Sequence, residues 1–165
     1  MNIQEFNATP SAELAPHLAA CVSIPAFSSA VLNQRPYVNR AHLLEAAQAN
    51  INIWTDEDVT TALSHHPRIG EKKAASKLSA SEEAYSNKEQ AGITATDTSA
   101  WEAANASYEE KFGHVFLIRA AGRSSDEMLA ELTRRMNNTK TAEAGERKQQ
   151  LGEISLLRLE QLVTA

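Results

Sequence analysis

Alanine and leucine dominate the apolar part of this chain, and this bias constrains the fold more than any other feature of the sequence. The 165 residues include 28 Ala and 15 Leu, but only 14 Val and Ile together. Ala and Leu have high helix propensity, whereas the β-branched Val and Ile favour strands. The length is that of one domain with a single core. We therefore predict an all-α bundle that forms one domain over residues 1–165.

Apolar spacing, capping residues and breakers divide the chain into about seven to nine helices. All five prolines lie within the first 67 residues and all six glycines follow them, which predicts short helices first and longer helices later. The run His-Val-Phe-Leu-Ile at 114–118 is the only strand-like stretch, and we predict a short extended segment there. The predicted helices cover about residues 11–22, 25–33, 39–50, 55–66, 79–91, 97–112, 124–136 and 141–163.

Charge and composition exclude several classes of protein. The chain has 21 acidic and 16 basic residues, a net charge of -5, whereas a nucleic-acid binder normally carries a basic surface. No apolar run approaches the roughly 20 residues that span a bilayer, and the N-terminus lacks a signal-peptide apolar region. The single cysteine, Cys21, excludes an internal disulfide and fits a reducing compartment. We expect a soluble cytoplasmic protein that binds neither nucleic acid nor membrane.

The segment from His65 to Glu71 holds the first candidate for catalysis. His65 and His66 end a predicted helix, whose negative dipole end favours the imidazolium form. A free histidine titrates near about pH 6.5, so the position suits proton transfer. The alternative is that both side chains cap helix carbonyl groups. A metal site that includes His114 is less consistent with the sequence, because adjacent histidines diverge and no carboxylate has a ligand spacing.

Two further polar positions are candidates for ligand binding. Glu89 lies near the end of the predicted 79–91 helix, where an acid is unfavourable unless a cation or ligand faces it. Ser86 shares its helix face. Arg123 directly precedes a predicted helix start, so its guanidinium and the free backbone N–H groups suit one anion. The alternatives are a solvated glutamate and a surface arginine.

Other polar and aromatic residues have simpler interpretations. Trp101, Tyr108 and the run 115–118 are interpreted as core packing, and Cys21 as a small core residue. Arg135 and Asn138 form either a second polar cluster or a helix C-cap.

Five motifs in chain order resemble the OHCU decarboxylase family. They are His-Pro-x-Ile-Gly-Glu-Lys at 66–72, Ser-x-x-Glu-Gln-Ala-Gly at 86–92, Lys-Phe-Gly-x-x-Phe-Leu-Ile at 111–118, Gly-Arg-Ser at 122–124 and Arg-x-x-Asn-Thr at 135–139. These enzymes act on 2-oxo-4-hydroxy-4-carboxy-5-ureidoimidazoline (OHCU), the last intermediate of urate degradation to allantoin. The resemblance covers nearly the whole chain, and five ordered motifs are more specific than any one of them.

The resemblance implies an all-helical, cofactor-free decarboxylase without a metal, usually a homodimer, that yields (S)-allantoin and carbon dioxide. It implies that His66 assists decarboxylation and handles protons, that Glu89 binds ureido or ring N–H groups, and that Arg123 holds a substrate oxygen or carboxylate. The implied substrate-binding positions are Pro67, Ser86, Gln90, Phe116, Leu117 and Ile118, the last three through backbone groups.

The sequence departs from the family pattern at His65, often a small or apolar residue, and at His114, which replaces an aromatic residue. Neither departure removes a residue to which the resemblance assigns a catalytic role. The alternatives to a decarboxylase are a non-catalytic helical module that binds a ureide or purine derivative, a metal hydrolase and a structural protein.

Overall fold

The computed structural model describes residues 1–64, 84–85 and 98–165, and eight helices have their bounds within these ranges. No strand occurs in them, so the all-α prediction is confirmed. Of the predicted helix over 79–91 the structure describes only residues 84–85, which are helical, and the rest lies outside the described residues. The six-residue α1 was not among the predicted helices. The helices are α1 (Ile3–Ala8), α2 (Ser11–Cys21), α3 (Pro25–Asn33), α4 (Arg40–Asn52), α5 (Asp56–Leu63), α6 (Thr98–Phe112), α7 (Ser125–Arg135) and α8 (Lys140–Leu162).

Three helix starts, those of α4, α5 and α7, are set by side-chain caps at the predicted positions. The side-chain oxygen of Asn39 accepts a hydrogen bond from the backbone of His42 (2.8 Å) at the start of α4. Thr55 and Asp58 form a capping box at α5, with bonds of 3.1 and 2.9 Å. Ser124 caps α7 by accepting one hydrogen bond from the backbone N–H of Glu127 (3.1 Å). These bonds satisfy backbone N–H groups that have no partner inside the helix.

One compact unit comprises Met1–Ser64 and Gly152–Ala165. In it α2 packs against α3, and α3 packs against α4. The guanidinium of Arg40 donates to the carbonyls of Val163 (2.6 Å) and Glu160 (3.0 Å), which caps the end of α8. Its apolar core includes Phe6, Leu14, Leu18, Cys21, Phe27, Leu43, Ile51 and Leu159. The burial of Cys21 confirms its interpretation as a core residue.

The second compact unit comprises His65–Leu151, of which the structure describes α6, α7 and the first half of α8. Residues 115–120 between α6 and α7 form neither helix nor strand. The predicted short extended segment thus lies in residues that belong to no helix, and its backbone is bound by side chains instead of a neighbouring strand. The described core of this unit contains Trp101, Tyr108, Phe112, Phe116, Ile118, Ala120, Met128 and Leu132.

The prediction that residues 1–165 form one domain stays a prediction. Among the described residues, no helix combines the length and the apolar character that crossing a membrane requires.

Candidate active site

Four of the nine residues predicted for the site belong to the described part of the second unit: Phe116, Leu117, Ile118 and Arg123. The other five, His66, Pro67, Ser86, Glu89 and Gln90, lie outside the described residues, and their roles stay predictions. The described part of the candidate site consists of the irregular segment 115–120, the turn that follows it, and the polar side chains that contact the segment.

Arg123 lies in a tight turn directly before the N-cap of α7. Its backbone N–H donates to the carbonyl of Ala120 (3.1 Å), and Gly122 has a φ of 77°, which favours glycine. The Nε atom of Arg123 is buried and, within the described part of the chain, has no hydrogen-bond partner. Because a buried N–H without an acceptor is costly, this position favours an added anion or other acceptor.

The apolar side chains of the segment pack into the core, as the sequence predicted. The ring of Phe116 lies against Trp101 (centroids 6.4 Å apart) and Tyr108 (5.1 Å), and Ile118 belongs to the same core cluster. Leu117 is also buried. Any contact of these residues with a ligand is therefore expected through their backbone groups.

The backbone amides of 116–118 are available for such a contact. Among the described residues and their recorded interactions, the N–H groups of Phe116, Leu117 and Ile118 form no hydrogen bond. By contrast, the N–H of Arg119 donates to Oε1 of Gln150 (2.9 Å). Backbone N–H groups in folded proteins nearly always find an acceptor in protein, water or ligand.

A buried ion pair contacts the segment from the side of α7 and α8. Arg135 and Glu143 are 1% and 0% exposed, and Nε of Arg135 donates to Oε1 of Glu143 (2.8 Å) while Nη2 donates to the same oxygen. Nη1 of Arg135 donates to the carbonyl of Leu117 (2.8 Å). The guanidinium also lies 4.5 Å from the ring centroid of Phe116.

Two further side chains complete the hydrogen bonds of Glu143. The hydroxyl of Tyr108 donates to Oε1 (2.6 Å), and the amide of Asn138 donates to Oε2 (3.0 Å). Burial, and then the bond to Glu143, raise the pKa of Tyr108 well above its usual range, so this hydroxyl stays a donor. Arg135 and Asn138 thus form the polar cluster that the sequence left open as an alternative to a C-cap.

Glu143 was not predicted as a site residue, although the sequence of α8 contains a signal for it. The buried apolar stripe of α8 includes Leu151 and Ile154. Toward the start of the helix the same helical spacing is continued by three buried polar residues, Glu143, Arg147 and Gln150. Polar residues at positions of a buried stripe indicate a buried polar network, because such residues are rarely buried without partners.

His114 lies half-buried beside this cluster. Its ring stacks on Phe112 (centroids 6.0 Å apart) and meets the ring of Tyr108 edge-on (5.5 Å). Burial, and then the positive charge of Arg147, lower the pKa of His114. In the part of the chain that the structure describes, no three His, Cys, Asp or Glu side chains are grouped as metal ligands would be.

Comparison with known proteins identifies the family. A family model described as OHCU decarboxylase matches residues 7–160. A crystal structure of OHCU decarboxylase in the presence of (S)-allantoin is similar in fold, with a TM-score of 0.70, 23% identity, and coverage of 87% of this chain and 94% of that chain. A crystal structure of (S)-allantoin synthase has a TM-score of 0.69 and 18% identity, and covers 99% of this chain and 54% of that chain.

The chain thus spans about half the length of the (S)-allantoin synthase chain. No match to a curated protein was found. The family match extends over nearly all of the chain and includes the irregular segment, Arg123 and the Arg135–Glu143 pair. The chain therefore belongs to the OHCU decarboxylase family of carboxy-lyases, with a role in urate degradation.

Proposed function

We propose that this protein converts OHCU to (S)-allantoin and carbon dioxide without a cofactor. The observation that carries the proposal is the buried, unpartnered Nε of Arg123 within the described residues, directly before the capped start of α7. A guanidinium next to a helix N-terminus favours an anion. The substrate of this family carries the carboxylate that such a position would bind.

The proposed reaction needs no added electron sink. The carbon that loses carbon dioxide is next to an imine carbon of the substrate, so the electron pair of the broken C–C bond flows into the C=N bond. Pyridoxal phosphate and metal ions supply such a sink in other decarboxylases, and the substrate replaces them here. The protein then has to orient the carboxylate, stabilise the charge that develops on the ring, and direct a proton to one face.

The family motifs assign these tasks to particular residues. Arg123 holds the carboxylate or a neighbouring oxygen, and Glu89 binds the N–H groups of the ureido substituent or ring. His66 interacts with the hydroxyl beside the departing carboxylate and assists proton transfer, a contribution typically worth about 10²–10⁴-fold in rate. Protonation from a single face gives the S configuration of the product.

The remaining predicted residues bind the substrate without reacting. The unbonded backbone amides of 116–118 support a role in which Phe116, Leu117 and Ile118 donate hydrogen bonds to the ring. Pro67, Ser86 and Gln90 border the substrate next to His66 and Glu89, as the family motifs imply.

The first test measures circular dichroism during the decay of OHCU generated from urate by an oxidase and a hydrolase. Wild-type protein should produce (S)-allantoin rapidly. EDTA at about 1 mM, in excess of the protein, should not change the rate. His66→Ala should slow the reaction by about 10²–10⁴-fold. His17→Ala is the matched control, because His17 is exposed on α2 in the other compact unit.

The result that overturns the proposal is a wild-type protein that leaves the spontaneous, racemic decay unchanged. In that case (S)-allantoin binding without turnover would favour the non-catalytic ureide-binding module. Loss of (S)-allantoin formation in EDTA would show that the reaction needs a metal ion and would reject the cofactor-free proposal.

Arg123 has a test of its own. Arg123→Gln removes the charge that would hold the carboxylate, and we expect KM to rise by about 10–100-fold, since a hydrogen bond to a charged group contributes about 1.5–3 kcal/mol. Arg134→Gln is the control, because Arg134 is exposed and pairs with Glu131. Equal KM values for the two variants would remove Arg123 from the site.

The homodimer is proposed from the family resemblance alone, and the cytoplasmic location from the single cysteine, which fits a reducing compartment. Light scattering should give a mass of about twice the 18.0 kDa of one chain. A mass of one chain would reject the homodimer without affecting the proposed reaction.

A further inference from the structure

The backbone of the irregular segment is bound at two points by side chains from α7 and α8. Arg135, at the end of α7, donates to the carbonyl of Leu117 (2.8 Å). Gln150, in α8, accepts from the N–H of Arg119 (2.9 Å). These two bonds hold the peptide groups on either side of Ile118.

The planarity of the peptide group gives these two bonds a directional effect. In a trans peptide the C=O and the following N–H point in opposite directions, and the only cis bond among the described residues is Arg35–Pro36. Since the carbonyl of Leu117 points to Arg135, the N–H of Ile118 points away from it. Since the N–H of Arg119 points to Gln150, the carbonyl of Ile118 points away from Gln150.

Ile118 is thereby left with a backbone donor and a backbone acceptor that are both unused. Within the described part of the chain and its recorded interactions, neither its N–H nor its C=O forms a hydrogen bond. The N–H of one residue can donate to the C=O of a cyclic amide or urea group, while the C=O of the same residue accepts from the adjacent N–H of that group.

Arg135 is itself fixed in a way that suits a positioning role. Its Nε and Nη2 groups are bound to Glu143, so the plane of the guanidinium is set by a partner on α8. The same plane lies 4.5 Å from the ring centroid of Phe116. Arg135 therefore contacts two consecutive residues of the segment, and a lysine could not reproduce this fork.

We propose that Arg135 and Gln150 are positioning residues that orient the backbone of Ile118 toward the ring of the substrate. The inference rests on the proposed function, because it assumes that the substrate of this site is a cyclic ureide. Neither side chain needs to touch the substrate, since each acts through the peptide group that it binds.

The test compares steady-state kinetics on OHCU for the full-length wild type, Arg135→Lys, Gln150→Met and a control. Arg134→Gln is the control, because Arg134 lies on the same helix as Arg135 but is exposed and pairs with Glu131 and Glu146. We expect KM to rise by about tenfold or more and kcat to fall by up to about 10²-fold in both test variants, the cost of misplacing a substrate. Arg134→Gln should keep the wild-type KM.

KM is the measurement that separates positioning from stability. A variant that is partly unfolded has fewer active molecules, which lowers the apparent kcat but does not change KM. A wild-type KM in Gln150→Met, or in a folded Arg135→Lys, overturns the inference while the proposed function stands. If Arg135→Lys does not fold, Gln150→Met decides alone, because it leaves the Arg135–Glu143 pair intact. A wild type without activity overturns the proposed function first, and the inference with it.

Discussion

The carboxylate of Glu143 shows at the scale of a single residue how a charge is accommodated in this core. It accepts hydrogen bonds from Arg135, Tyr108 and Asn138 and is 0% exposed. A buried charge is tolerated only when it is paired and its remaining lone pairs are satisfied. Removing either member of the ion pair leaves the other charge without compensation.

Glu143→Gln should therefore destabilise the protein by about 3–5 kcal/mol, because it leaves the Arg135 guanidinium buried without a counterion. The free energy of unfolding in urea measures the effect. Glu131→Gln is the matched control, since Glu131 forms an exposed pair with Arg134. That control should lose less than about 1 kcal/mol, and a comparable loss in both variants would contradict the prediction.

His114 predicts a pH dependence of stability. Burial and the charge of Arg147 lower its pKa from the ordinary value of 6.5, so the unfolded chain takes up this proton at a higher pH than the native protein. The free energy of unfolding should then fall as the pH is lowered from 6.5 toward the native pKa, because the unfolded state binds more protons in that window.

The measurement is urea unfolding of wild type and His114→Gln between pH 8 and pH 5, about the window in which histidine titrates. The wild-type protein should lose more stability than His114→Gln over this range. Parallel pH profiles for the two proteins would show that His114 has the same proton affinity in both states.

Residues whose role depends on local sequence were predictable, and residues whose role depends on tertiary partners were not. Trp101 and Phe116 were correctly predicted as core residues from their apolar spacing. Arg123 was predicted as a candidate from its place before a helix start. Glu143 was missed, because its partners Arg135 and Tyr108 are 8 and 35 residues away along the chain.

At the scale of an element, the helix bounds follow from caps and breakers that the sequence displays. The predicted starts at Asn39 and Thr55 are confirmed by hydrogen bonds that those side chains accept from backbone N–H groups of the first turn. Helix α1 was not predicted, because its six residues bury only Phe6 and carry no periodic pattern. The segment 115–120 has the composition of a strand, but composition does not reveal whether a partner strand exists.

The two glycines of α8 should respond in opposite ways to alanine. A Cβ atom at Gly145 would meet no atom within 4 Å, so Gly145→Ala should stabilise by up to about 1 kcal/mol through helix propensity. A Cβ atom at Gly152 would lie 2.8 Å from Cγ2 of the buried Ile51. Gly152→Ala should therefore destabilise by about 1–3 kcal/mol.

Thermal and urea unfolding of the two variants measure this difference. The second substitution Ile51→Ala removes the crowded methyl group, so the cost of Gly152→Ala should shrink in that background. An equal gain in stability from Gly145→Ala and Gly152→Ala would show that α8 does not need a glycine at position 152, next to Ile51 of α4.

At the scale of the whole molecule, the sequence predicted the fold class and the family but not the division of the described chain into two compact units. That division depends on which helices contact each other, and apolar periodicity identifies only the buried face of each helix. Helix α8 contributes its first half to one unit and its second half to the other. The site is predictable to the extent that its motifs are local, as for Arg123 and the segment 116–118.

We expect both units to unfold in one cooperative transition, because α8 is a continuous helix that belongs to both. The two tryptophans report on them separately, since Trp54 lies in the first unit and Trp101 in the second. Trp54→Phe and Trp101→Phe each leave one fluorescent reporter. In each variant the fluorescence and far-UV circular dichroism midpoints in urea should coincide, and separate midpoints would indicate two independent domains.

The buried pair of Arg135 and Glu143 also has a consequence for how the sequence of this family can diverge. Losing one partner leaves an unpaired charge in the core, whereas replacing both residues with apolar residues of similar volume is often neutral or stabilising. Homologues should therefore carry both residues or neither, and the two positions should covary. A homologue that lacks the pair would also lose the hydrogen bond from Arg135 to the carbonyl of Leu117. Such a homologue should therefore carry another hydrogen-bond donor for that carbonyl.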